Sequence, residues 1–287
     1  MPYTVAVSFD KFYENINLDG DYRSTANTRR DDIVKKLSKD FDILEAFSTG
    51  SIPKFTALKN SADVDIMVVL HYGKHIKNKT PTQVLQAVRN SLAEWKTGTR
   101  RNGQAVTLSY VTWPDVDIVP VSRETDSQGN FQHYNVPNSN DDTWIPSKPK
   151  ELAACIAAKS TECGPFFRRM IKMAKHWNRI HSDYLTSYHI EVLAIRALNG
   201  NKSDLTWDIF QFFMEARKLL ESFIYYDAGI VDNYLTWDNR QEALRRFDTA
   251  IDLGRRAWHL TYVANDDHKG AIALWKQMFG DKFPAYG

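Results

Sequence analysis

The rhythm of apolar and polar positions changes about halfway along the chain. In the first half, short apolar runs alternate with turn-forming residues. Residues 25–40 read as a polar helix with a sparse apolar stripe. Residues 41–47 predict a short strand that ends in the turn signal Ser48-Thr49-Gly50-Ser51. The stretch 63–70, DVDIMVVL, is rich in β-branched residues and predicts a buried strand. Residues 81–95 carry Val84, Leu85, Val88, Leu92 and Trp95 at helical spacing. Two further strands are expected at 107–111 and 115–121, broken at Trp113-Pro114. Residues 129–139 read as a loop with a short strand at 133–136, and Lys96, Arg100 and Arg101 as a solvated basic turn. From residue 148 onward the spacing is helical, over 151–158, 165–179, 187–198, 207–223, 239–251 and 266–279. Strands followed by helices make an α+β chain. The boundary falls near 145–150 without a Pro/Gly/Ser-rich linker, so the two halves are expected to pack closely and share a cleft.

Composition narrows this picture. Of 287 residues, 43% are apolar and 25% charged, which excludes a disordered, collagen-like or disulfide-rich chain. Lys plus Arg is 37 and Asp plus Glu is 35, giving a net charge of +2. A chain bound along duplex nucleic acid usually carries a larger basic excess, so a local basic site is the most that this balance predicts. Cys155 and Cys163 form no CxxC pair, and the eight histidines have no metal-ligand spacing, so zinc is not expected. No apolar run reaches the roughly 20 residues of a membrane span, and the first residues do not read as a signal peptide. A cytoplasmic protein is therefore expected.

Three features carry chemistry. In Asp63-Val64-Asp65, alternate strand residues point to one face, so the two acids project together while Val64 and Ile66 enter the core. Adjacent carboxylates repel unless protons or cations intervene, and hard divalent ions such as Mg²⁺ suit oxygen ligands. Asp115-Val116-Asp117-Ile118-Val119 repeats the pattern. One of its acids could complete a three-carboxylate cluster holding two ions about 4 Å apart, the arrangement for in-line displacement at phosphorus. An Asp-x-Asp is also a common solvated turn or cap. Gly50-Ser51-Ile52-Pro53 reads either as an ordinary turn or as a helix start whose free amides bind phosphate. In residues 165–179, Arg168, Lys172, Lys175 and Arg179 share one helical stripe, opposite Phe166, Met170, Met173 and Trp177. That stripe is either a solvated basic face or one that meets an anion such as a triphosphate.

The order Gly50-Ser51, Asp63/Asp65, Asp117, a helix with Lys175-His176-Trp177, then Ser187-Tyr188 resembles the polymerase-β-like nucleotidyltransferase superfamily. More closely, it resembles the cGAS/DncV-like nucleotidyltransferases (CD-NTases) of bacterial anti-phage CBASS systems. The likeness runs over about residues 44–198, and the stretch after Asn199 is expected to complete the helical lobe. It implies a nucleotidyltransferase core with an N-terminal helix and a mixed sheet over 1–148. A helical lobe over 149–287 would pack against that core, with the active site in the cleft. It implies catalytic, metal-holding roles for Asp63, Asp65 and Asp117, the last preferred over Asp115 because VDIVP fits the family pattern. It implies nucleotide-binding roles for Gly50, Ser51, Thr56, Lys175, Ser187 and Tyr188, with Arg168 and Lys172 on the same basic stripe. Tyr188 would stack on a base, a contact worth about 1–3 kcal/mol. Tyr134-Asn135-Val136-Pro137 with Trp144-Ile145 is similar to the family's connection between lobes. The implied cofactor is a pair of Mg²⁺ ions, with Mn²⁺ as substitute. The implied reaction joins NTPs, ATP among them, into a cyclic di- or trinucleotide messenger with release of pyrophosphate. Its partners would be CBASS accessory proteins and an effector reached through the diffusible product, with neither a membrane nor long double-stranded DNA. The zinc-binding insertion of animal cyclic GMP-AMP synthase is absent. The rival readings are transfer to an antibiotic, a protein or an RNA 3′ end, and a non-catalytic nucleotide-binding or antitoxin-like module.

Overall fold

A computed structural model describes residues 3–18, 22–59, 61, 63–112, 114–226, 229–264 and 266–287. Trp113, half of the expected strand break, lies outside them. In chain order the elements are α1 (Val5–Ile16), α2 (Tyr22–Leu37), β1 (Ile43–Thr49), β2 (Val64–Leu70), α3 (Pro81–Ala93), β3 (Arg100–Asn102), β4 (Ala105–Leu108), β5 (Val116–Thr125), β6 (Phe131–Asn138) and β7 (Thr143–Ser147). Then follow α4 (Pro149–Cys163), α5 (Phe166–Ile180), α6 (Ser187–Ala197), α7 (Leu205–Leu219), the two-residue strands β8 (Tyr225–Tyr226) and β9 (Gly229–Ile230), α8 (Trp237–Tyr262) and α9 (His268–Phe279). No described helix is long and apolar enough to cross a membrane.

The chain divides into two units. A sheet unit comprises residues 19–55 and 60–153, and a helical unit comprises 1–18, 56–59 and 154–287. This differs from the expected 1–148/149–287 division, because α1 and the short strap 56–59 group with the helices and the boundary falls inside α4.

In the sheet unit the strand order is β1-β2-β5-β4-β3, with β6 paired to the far half of β5 and β7 paired to β6. β2 and β5 run parallel and the other pairs antiparallel, so the sheet is mixed. Every residue of β2 except Asp65 is buried, as a near-continuous apolar strand covered on both faces must be. α3 begins with a capping box between Thr80 and Gln83 and with Pro81 in its first turn. It buries Val84, Leu85, Val88 and Leu92. α2 buries Ala26, Ile33 and Leu37, and on the same stripe Arg29. The Arg29 guanidinium lies 4.0 Å over the Tyr110 ring. It donates to the Pro114 carbonyl and, at 3.0 and 2.9 Å, to the carbonyl and hydroxyl of Thr112. The region expected to be mostly loop is the β6–β7 hairpin, so Tyr134–Pro137 and Trp144–Ile145 face each other across one ladder. The basic turn at Arg100-Arg101 is the edge strand β3, with exposed side chains.

The helical unit is built around aromatic side chains. Thr4 caps α1, whose Val5, Phe9, Phe12 and Ile16 form a buried stripe. Phe9 meets Trp275 edge-on at 5.0 Å and Phe283 at 5.2 Å. Trp177 meets Phe213 and Phe247, each at 4.8 Å. α8 runs well beyond the expected end at residue 251, as far as Tyr262, and passes through Gly254. A Cβ at Gly254 would stand 3.1 Å from Phe210 and 3.4 Å from Trp275, so this glycine serves close packing and does not end the helix. Cys155 and Cys163 are both free thiols.

Candidate active site

The parallel register of β2 and β5 places Asp65 beside Asp117. Thr49 of β1 pairs with Asp65, and Thr107 of β4 pairs with Asp117. Register partners share a face, so Thr49, Asp65, Asp117 and Thr107 form one row across four strands, two acids between two hydroxyls. Adjacent members of such a row are about 4.8 Å apart. Thr107 is buried and donates its hydroxyl proton to Asp117 Oδ1 at 2.5 Å, which fixes the carboxylate. Asp63 stands one residue before β2 and is exposed. Asp115 is tied up elsewhere: its carboxylate accepts from the Tyr110 N–H at 2.9 Å and from Ser109 Oγ at 3.1 Å. Among the described residues, no three His, Cys, Asp or Glu side chains are gathered into a metal-holding group. The ready three-carboxylate cluster expected of Asp63, Asp65 and Asp117 is therefore not formed. Three carboxylates without a cation repel, and Asp63 precedes the strand that aligns the other two. The donor set present still fits Mg²⁺. It offers oxygen only, with two carboxylates side by side, and Mg²⁺ commonly takes one or two carboxylates with substrate phosphates completing its shell.

Gly50 follows β1 with φ +74°, and a Cβ there would stand 1.8 Å from Asp65 Oδ2. The Asp65 carboxylate thus occupies the space that any side chain at 50 would need. Of the two readings of this stretch, residues 51–55 form the turn and not a helix start, and Ser51 is half-buried beside Gly50. Phe55 closes the turn with φ +59°. A cavity of about 280 Å³ lies beside Asp65, lined among others by Thr49, Ile52, Val64 and, from α2, Asn27 and Arg30. Nothing in their spacing marks Asn27 and Arg30 as site residues; only the packing of α2 does so.

The basic stripe of α5 is not an open face. Lys172 is buried, donates to Asn17 Oδ1 and lies 5.5 Å from the Tyr13 ring centroid. Burial, reinforced by the charges of Lys175 and Arg168, pushes its ammonium down to about 8. Arg168 is half-buried, and only Arg179 reaches solvent broadly. Lys175 and Thr56 are also withdrawn from solvent, into a cluster with Glu191 of α6. Lys175 Nζ donates to Glu191 Oε1 at 2.7 Å and to Thr56 Oγ1 at 3.1 Å, and Thr56 Oγ1 donates to Glu191 Oε1 at 2.6 Å. The expectation that Lys172, Lys175 and Thr56 offer themselves to a triphosphate does not match these surroundings. Ser187 and Tyr188 are exposed at the first turn of α6, where Thr186 caps the helix. Behind them, the Tyr234 hydroxyl accepts from the Thr186 N–H and lies 2.9 Å from Nδ1 of buried His189. The Tyr234 hydroxyl and Nδ1 share one hydrogen bond whose direction follows the imidazole tautomer. Burial pushes His189 down to about 4.

The family model of the Second Messenger Oligonucleotide or Dinucleotide Synthetase domain matches residues 3–159, more than half of the chain. The chain is 25% identical over 314 aligned positions to the CBASS oligonucleotide cyclase CdnC of Escherichia coli (strain KTE188), covering 95% of this chain and 96% of that one. The E. coli MS115-1 CdnC structure with ATP superposes with a TM-score of 0.76 at 18% identity, over 97% of this chain and 98% of that one. The same enzyme in complex with HORMA-deltaN superposes with a TM-score of 0.76 at 19% identity, over the same shares. The chain belongs to the Second Messenger Oligonucleotide or Dinucleotide Synthetase family, CD-NTases that join nucleotides into cyclic oligonucleotides in CBASS signalling.

Proposed function

We propose that this chain joins ATP, alone or with a second NTP, into a cyclic di- or trinucleotide, with Asp65 and Asp117 as the centre of the site. The observation that carries this reading is the register row Thr49–Asp65–Asp117–Thr107 with Gly50 cradling Asp65. Asp63, Asp65 and Asp117 would hold Mg²⁺, or Mn²⁺ in its place, which when bound neutralises phosphate charge and acidifies the attacking hydroxyl. Thr107 holds Asp117 through Oδ1, which leaves Oδ2 as the oxygen to take the proton of an acceptor ribose hydroxyl. That hydroxyl oxygen bonds to the α-phosphorus of the donor, the bond from that phosphorus to the β-phosphate oxygen breaks, and pyrophosphate leaves. A second transfer closes the ring. Gly50 and Ser51 orient the donor phosphates, and the exposed Tyr188 ring stacks on a base beside Ser187. ATP is the first substrate to test because the CdnC structure of the same fold was solved with it. An accessory protein is proposed on the likeness to the CdnC complex with HORMA-deltaN. We place the reaction in the cytoplasm, where NTPs are held.

The test incubates the protein with all four NTPs and Mg²⁺ or Mn²⁺, then phosphatase, then mass spectrometry. A phosphatase-resistant cyclic product is expected, and Asp65→Asn should lower its rate by about a thousandfold or more while melting as the parent does. Product formation by Asp65→Asn at the parent's rate would overturn the assignment.

A further inference from the structure

Within the helical unit, the chain between α7 and α8 returns to the start of α6, and one buried ion pair organises that return. Asp232 is fully buried, and Arg240 in the first turn of α8 is nearly so. The Arg240 guanidinium donates to Asp232 Oδ2, to the Leu220 carbonyl at 2.8 Å and to the Ser222 carbonyl at 3.3 Å. Asp232 Oδ1 accepts from the Ile224 N–H at 3.1 Å. Two charges withdrawn from water persist where each is matched and hydrogen-bonded, and these are. From Asp232 the chain turns at once, its carbonyl accepting from the Leu235 N–H at 3.0 Å. Tyr234 stands inside this turn.

Tyr234 meets the first turn of α6. Its hydroxyl accepts from the Thr186 N–H at 2.9 Å and lies 2.9 Å from His189 Nδ1, with the two rings edge-on at 6.0 Å. Thr186 is the N-cap of α6, and its own hydroxyl oxygen accepts from the His189 N–H at 3.2 Å. One phenolic hydroxyl thus fastens both ends of the capping turn. Ser187 and Tyr188 stand between those two residues, with exposed side chains. His189 Nε2 is buried without a hydrogen-bond partner among the described residues, so the hydrogen bonding of the imidazole rests on Tyr234. Phenylalanine would fill the same space, so what the hydroxyl adds is these two hydrogen bonds.

We propose that Tyr234 is a positioning residue for nucleotide binding. Through Thr186 and His189 it sets the direction in which Ser187 and Tyr188 leave α6, and the Asp232–Arg240 pair holds Tyr234 in place for this. The proposal rests on the nucleotide-binding role proposed above for Ser187 and Tyr188.

The test uses the full chain with Tyr234→Phe, Tyr188→Ala and the two combined. Two readouts are taken well below the melting temperature: hydrogen exchange of the amides of residues 186–190, and kcat and KM for ATP with Mg²⁺ from pyrophosphate release. The Tyr234 ring is 40% exposed, so removing one hydroxyl leaves the core intact, and unchanged exchange in α8 verifies the fold. In Tyr234→Phe the Thr186 N–H loses its acceptor, and exchange over 186–190 should rise about tenfold. KM should rise about tenfold with kcat within about threefold, because the side chains it aims bind the nucleotide in ground and transition states alike. Tyr188→Ala should raise KM at least as far. In that background Tyr234→Phe should add no more than about threefold, because the ring it aims is gone. A structural role alone would act equally in both backgrounds. KM at the parent's value in Tyr234→Phe, or a fall in kcat with KM unmoved, overturns the proposal. So does a raised KM with unchanged exchange, or a full tenfold effect on top of Tyr188→Ala, since either would make Tyr234 a ligand in its own right. A parent that makes no product from any NTP, or Tyr188→Ala with the parent's KM, sinks the reading on which the proposal rests, while exchange over 186–190 still decides whether Tyr234 braces α6.

Discussion

Single side chains set this site to within an atom's width. The clearest case is Gly50, where the missing Cβ is the space that Asp65 fills. Gly50→Ala should lower turnover by about a hundredfold or more, because Asp65 must move away from Asp117. It should also cost about 1–2 kcal/mol in stability from the left-handed backbone. Gly98 is the matched control, with φ +80° and open space within 4 Å of where its Cβ would stand. Gly98→Ala should cost stability alone, and steady-state pyrophosphate release with thermal melting separates the two. The burial of Lys172 and Lys175 was beyond the reach of the sequence for a related reason. A basic stripe reads as an outward face, and the partners that draw it inward, Asn17 and Glu191, stand 155 and 16 residues away.

At the scale of elements, the start of α6 is braced from behind by buried, neutral His189 and by Tyr234. His189 is pushed from its ordinary 6.5 to about 4 by burial. Unfolded chains therefore take up this proton first as pH falls, so stability held above about pH 6.5 is lost progressively toward pH 4, by up to about 3 kcal/mol. Urea denaturation of the parent and of His189→Gln at neutral and mildly acidic pH measures this. The parent should lose stability on acidification, and the variant should lose less by about 2 kcal/mol at pH 5. The elements themselves were legible to different degrees. β2 and β5 stood out because a strand buried on both faces is a nearly unbroken β-branched run. β6 was read only over 133–136 and β7 not at all, because Pro137 and Pro146 interrupt each pattern and the pairing of the two strands compensates. α8 was read only as far as residue 251, yet it continues through Gly254, which packing retains. The row of acids was legible as two Asp-x-Asp patterns, but their order in the sheet came from strand pairing. A two-residue slip of β5 would keep the same face and bring Asp115 opposite Asp65. Arg29, which donates to the Thr112 and Pro114 carbonyls, and the two hydrogen bonds on Asp115 oppose that slip.

For the whole molecule, helix α1 belongs with helix α9. Deleting residues 1–17 removes Phe9 and Phe12 from Trp275, Phe279 and Phe283. Hydrogen exchange should then show protection lost across α9 while β2 and β5 keep theirs; equal loss in the sheet would refute this division. The same layout has a consequence for synthesis. The sheet unit is complete once residue 153 has left the ribosome, whereas α1, made before it, must wait for residues 275–283 to cover its apolar stripe. The paired acids Asp65 and Asp117 are thus finished early and the helical unit late. A chain stalled before residue 275 holds Asp65 and Asp117 in register and still exposes Phe9 and Phe12, the kind of surface on which chaperones and proteases act.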